Sequence, residues 1–115
     1  MENQKIYLRF LSLMHAIEGS GQLPPLDLDA KRLLEVIAVK QSENNAITVT
    51  DAMAMSHIAS PATIHRKLDQ LRELGMIDSH HEGTNRRTKY LKTTDKALHY
   101  FSTVGSLIQQ ATQHQ

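Results

Sequence analysis

Residues 60–75 read SPATIHRKLDQLRELG, and the fold of the chain turns on this stretch. Serine followed by proline is a strong helix start, because the Ser60 hydroxyl can cap backbone N–H groups and Pro61 occupies a first-turn position whose N–H has no partner anyway. Ile64, Leu68, Leu71 and Leu74 then recur at spacings of four and three, which puts them on one face. Gly75 stands where a left-handed residue would end the helix. Pro61, Ala62, His65, Arg66, Asp69 and Gln70 point away from the apolar stripe, with Thr63 near its edge. The segment is a helix with one side to bury and one side to present.

On the N-terminal side, residues 47–55 read ITVTDAMAM. Thr48 is placed to accept from the N–H of Asp51, whose carboxylate suits the positive end of a helix. A short helix is expected there, using Val49, Ala52, Met53 and Met55 and breaking at residues 56–59. Two helices separated by a tight break, the second with a polar outer face, are the parts of a helix-turn-helix. On the C-terminal side, MIDSHHE (76–82) alternates and TKYLKT (88–93) carries Tyr90 and Leu91 near its middle, predicting two short strands. The link EGTNRR supplies Gly83 and Asn85, both tolerant of turn conformations, so the pair reads as a hairpin.

Further out, Ile6, Phe10, Leu13, Met14 and Ile17 have helical spacing, and Tyr7, Leu8 and Leu11 add a second apolar side. GSGQLPP (19–25) stops that helix. Another opens near Asp27 with Leu28, Leu33, Leu34, Ile37 and Ala38 on one face and fades in QSENNA. Thr94 caps a last helix with Leu98, Phe101, Val104, Leu107, Ile108 and Ala111 on its apolar side. The methionines Met14, Met53, Met55 and Met76 are expected to fill core gaps.

The fold class expected is therefore mainly α with a small β-hairpin, a winged helix-turn-helix in the order α-α-(β)-α-α-β-β-α. At 115 residues, one domain over 1–115 is expected. Residues 1–19 would form an N-terminal dimerisation helix, 27–92 the helix-turn-helix plus wing, and 94–113 a C-terminal dimerisation helix. The two apolar sides of the first helix, with the long stripe of the last, motivate a homodimer.

Composition narrows the function. With no cysteine, disulfides, thiolate metal sites and thiol nucleophiles are excluded. No apolar run reaches the roughly 18 residues of a spanning helix and the start lacks a signal-peptide layout, so a cytoplasmic protein without membrane contact is expected. There is no glycine-rich phosphate loop, HExxH or GxSxG, and no enzyme is expected. Seven histidines are present, but His80 and His81 are adjacent on an expected strand and would point to opposite faces. Neither metal nor cofactor is expected.

Net charge is only +1, yet it is unevenly spread: residues 1–59 hold five Lys/Arg against seven Asp/Glu, and residues 60–92 hold seven against four. Arg86, Arg87, Lys89 and Lys92 crowd the hairpin with no acid among them. Phosphate is the expected partner of that segment.

Most of residues 26–101 resembles the MarR-type winged-helix regulators. ITVTDAMAM is similar to that family's short helix after a small strand, SPATIHRKLDQLRELGMI to its recognition helix, and NRRTKYLKTTDKAL to its wing and exit into the last helix. Asn85 stands where the family commonly has an aspartate that holds the wing arginine, and both helical arms are shorter than usual. The resemblance implies sequence-directed binding of double-stranded DNA as a homodimer, usually to repress transcription, often under a small-molecule effector. The expected DNA contacts from the recognition helix are Ser60, Ala62, Thr63, His65, Arg66 and Gln70. Arg66 suits guanine or phosphate, Gln70 adenine, and Ala62 or the Thr63 methyl a thymine methyl. From the wing they are Asn85, Arg86, Arg87, Lys89 and Lys92, the arginines suiting a narrow minor groove and the lysines phosphate. The low net charge keeps a second reading open, a winged helix serving as a protein-interaction adaptor.

Overall fold

A computed structural model describes residues 1–84 and 87–113. Its helices are α1 (Glu2–Gly19), α2 (Leu28–Ser42), α3 (Val49–Met53), α4 (Pro61–Glu73) and α5 (Asp95–Gln113), with strands β1 (Ile77–His80) and β2 (Tyr90–Thr93) between the last two. The expected fold class is observed. The chain forms two compact units, one spanning Leu26–Ala97 and the other containing Met1–Pro25 and the residues from Leu98 onward.

In the Leu26–Ala97 unit every helix start is built from local chemistry. The Asp27 carboxylate accepts from Ala30 N–H at 2.9 Å. Thr48 and Asp51 exchange reciprocal bonds of 3.0 Å, each side chain accepting from the other's backbone N–H. Ser60 Oγ accepts from Thr63 N–H at 3.3 Å with Pro61 in the first turn. Caps of this kind contribute about 1 kcal/mol each.

The ends are as local. Gly75 adopts φ +74°, the Gly75 N–H bonds Arg72 O and the Met76 N–H bonds Leu71 O, both at 2.9 Å, a complete Schellman closure of α4. Asn44, at φ 58°, closes α2 the same way, with bonds from Asn44 and Asn45 to Gln41 O and Lys40 O.

The core of this unit is Ala30, Leu33, Leu34, Ile37, Ile47, Ala52, Ile58, Ile64, Leu68, Leu71, Met76, Ile77, Leu91 and Ala97. α4 packs against α2, α3 and β1, and α2 also against β2. The expected stripe of α4 is buried at Ile64, Leu68 and Leu71, while Leu74 at the C-cap is half-buried. One expected core residue is misplaced: Leu28, at the first position of α2, is 62% exposed, and Ala30 is buried instead. The buried stripe of α2 begins at Ala30, two residues after the first position.

β1 and β2 pair antiparallel with Ile77 opposite Thr93, Asp78 opposite Lys92, Ser79 opposite Leu91 and His80 opposite Tyr90. On the other edge of β2, Leu91 N–H donates to Ile47 O at 2.8 Å and Thr48 forms an isolated bridge to Tyr90. The small strand expected before α3 is thus a single bridge residue.

In the other unit, no residue of α1 is buried. Tyr100, Leu107 and Ala111 of α5 are. Arg9 Nε donates to Ala111 O at 3.0 Å, tying α1 to the last turns of α5. Asn3, Ile6, Tyr7, Phe10, Ile108 and Ala111 line an open groove of about 390 Å³. No described helix is long and apolar enough to cross a membrane.

Candidate nucleic-acid interface

Capping at Ser60 fixes where the outer face of α4 begins. From there two side-chain networks run along it. In the first, Thr63 Oγ1 accepts from both Ser60 Oγ at 3.0 Å and Arg66 Nη2 at 3.2 Å, so the Arg66 guanidinium is drawn back toward the helix N-terminus. In the second, Asp69 faces His65 Nδ1 at 3.4 Å and accepts from Arg72 Nη1 at 3.2 Å. The sequence expectations Ser60, Ala62, His65 and Arg66 are all exposed, and Thr63 and Gln70 are half-buried. The Thr63 hydroxyl works as an orienter of Arg66, a role that helical spacing did not reveal.

Lys67 is not part of this outer surface. Its ammonium is half-buried and donates to Asp27 Oδ2 at 2.5 Å, joining the recognition helix to the N-cap of α2. That hydrogen bond, together with the Ala30 N–H, holds the Asp27 carboxyl below its ordinary value. Asp27 and Lys67 are 40 positions apart, so no local pattern marks the pair.

The hairpin is fastened at its base. Gln41 Oε1, from α2, accepts from both Thr93 N–H at 2.8 Å and Thr93 Oγ1 at 3.1 Å. Thr94 Oγ1 donates to Gly75 O at 2.6 Å while accepting from Ala97 N–H at 3.2 Å, and Lys96 Nζ donates to Leu74 O at 2.7 Å. The carbonyls of the turn just past α4 are therefore satisfied by the first residues leading into α5.

Arg87 and Lys89 are exposed on the returning limb of the hairpin. Lys92 is half-buried in β2, directly across from Asp78 in the strand register. Asn85 and Arg86, also expected as DNA contacts, lie outside the described residues. Among the described residues no cluster of three or more His, Asp or Glu has the arrangement of a metal site.

A polar helix face beside a basic hairpin, carried on a helix-turn-helix, defines the winged helix-turn-helix class. Solved structures share this fold. RV1404 from Mycobacterium tuberculosis superposes with a TM-score of 0.63 at 16% identity, covering 94% of this chain and 71% of that one. The transcriptional regulator SlyA gives 0.56 at 18% identity, covering 90% and 70%. FabT from Streptococcus pneumoniae, solved in complex with DNA, gives 0.52 at 14% identity, covering 95% and 84%. The resemblance to MarR-type winged-helix regulators thus holds at the level of the fold. No family model and no curated protein matches the chain.

Proposed function

We propose that this protein is a sequence-specific duplex-DNA-binding transcription regulator, a homodimeric repressor. The observation that carries the reading is the outer face of α4, where Ser60, Thr63 and Arg66 form a hydrogen-bonded polar set at the helix N-terminus beside a hairpin bearing Arg87 and Lys89. In this reading the N-terminal half of α4 enters a major groove and the hairpin grips flanking phosphates or minor groove. Ala62 and Thr63 meet base edges, Arg66 takes guanine, and Gln70 lies further along the same groove. Arg86, Arg87, Lys89 and Lys92 supply the electrostatic hold, and Asn85 adds a neutral hydrogen-bonding contact. The fold shared with FabT, which was solved with DNA, supports this.

The homodimer is proposed through α1 and the part of α5 from Leu98 onward. Tyr7, Leu8, Leu98 and Ile108 are each at least half exposed there and the groove between α1 and α5 stands open, leaving apolar surface that a second copy would cover.

The test is a salt titration of binding to random-sequence duplex, with the wild type and Arg87→Ala. Binding should weaken steeply with salt, and the substitution should lower the slope by about one counterion. No retention at low salt would overturn the proposal and favour the adaptor reading that the net charge of +1 supports.

A further inference from the structure

The paired ladder of the hairpin ends at His80 opposite Tyr90. One residue beyond it, the next rung is made by a side chain: His81 Nδ1 lies 3.0 Å from Thr88 O in a partly buried contact. A carbonyl oxygen can only accept, so Nδ1 carries the proton in this bond. The contact joins the outgoing and returning limbs just where backbone pairing stops, and Arg87 and Lys89 are the immediate neighbours of the Thr88 carbonyl it holds. His80, the residue before, spends its ring otherwise, facing Tyr90 with centroids 6.1 Å apart.

We infer that His81 is a positioning residue of the wing: its Nδ1–H clasps the Thr88 carbonyl and thereby sets the direction in which Arg87 and Lys89 are presented to a polyanion. The consequence for DNA rests on the function proposed above; the clasp itself does not. A hairpin arm held in one geometry loses less conformational freedom on binding than one that must be ordered by its ligand.

The substitutions that separate donor from bulk are His81→Asn and His81→Leu. The asparagine amide nitrogen takes nearly the place of Nδ1 and can still donate; leucine fills similar space and cannot. Long-range nitrogen–proton correlation spectra of the unbound wild type should show His81 protonated at Nδ1. Backbone relaxation should show Thr88 and Lys89 as ordered as β2 in the wild type and in His81→Asn, and more mobile in His81→Leu. Affinity for random duplex should fall by about fivefold in His81→Leu, the worth of one net hydrogen bond, and recover in His81→Asn. A wild-type His81 with Nδ1 unprotonated, or a leucine variant whose wing order and affinity match the wild type, would overturn the inference. If the wild type does not bind duplex at all, the function reading fails while the tautomer and relaxation results still decide the clasp.

Discussion

Asp27 accepts from the Ala30 N–H of its own helix and from Lys67 of the recognition helix, so one carboxylate both starts α2 and fixes α4 against it. Its carboxyl is held below the ordinary value, first by the Lys67 hydrogen bond and then by the Ala30 N–H. Folding therefore favours the ionised form, and the stabilisation is fully present above the unfolded carboxylate range near about pH 4. It is lost as pH falls through the lower folded value. The gap in melting temperature between the wild type and Asp27→Asn should be largest near neutrality and close as pH is lowered from 5 to 3; a gap constant over that range would contradict the pairing. Both side chains are partly exposed, which keeps the effect of the ion pair itself under about 1 kcal/mol. At the same scale, Arg66→Lys keeps the charge but removes the fork that Thr63 orients. It should cost about 1–3 kcal/mol on a preferred duplex and little on random sequence, in competition titrations. Equal losses on both would reduce Arg66 to a phosphate contact.

At the scale of elements, α4 is bounded by two devices whose worth can be measured. Ser60→Ala removes the cap and should cost about 1 kcal/mol in denaturant unfolding. Gly75→Ala would meet only Lys96 Cδ, at 3.8 Å, so space is not the obstacle. The cost comes from φ +74° and should be about 1–2 kcal/mol. A neutral Gly75→Ala would mean that the Schellman closure is dispensable.

These bounding residues were also the most legible part of the sequence. Asp27, Thr48, Ser60, Gly75 and Thr94 act on backbone groups within a few positions, and local spacing encodes such chemistry directly. Lys67 with Asp27 and Gln41 with Thr93 join positions 40 and 52 apart, and nothing in periodicity brings them together. Leu28 shows the same limit from the apolar side: it fits the α2 stripe by type, but at the first position of the helix it is exposed, while Ala30 two residues on is buried. Of the candidate interface, the exposed residues of α4 and the basic limb were readable from spacing and charge. The hydroxyl that orients Arg66, and the placing of Asp78 across from Lys92, needed the register and the fold.

For the whole molecule, the unit formed by α1 and the later part of α5 leaves Tyr7 59%, Leu8 54% and Ile108 50% exposed. Sedimentation at micromolar concentration should show a dimer, and Tyr7→Asp with Ile108→Asp should yield a folded monomer that binds duplex less tightly. A wild-type monomer would remove the homodimer. A dimer reads two half-sites at once, and its two-fold symmetry should appear in the DNA it prefers. Selection of bound fragments from a random duplex library at physiological salt tests that claim most directly. Enrichment of an inverted repeat with half-site centres about one helical turn apart is the result predicted. Recovery of fragments without any shared sequence, or of none above background, would contradict it.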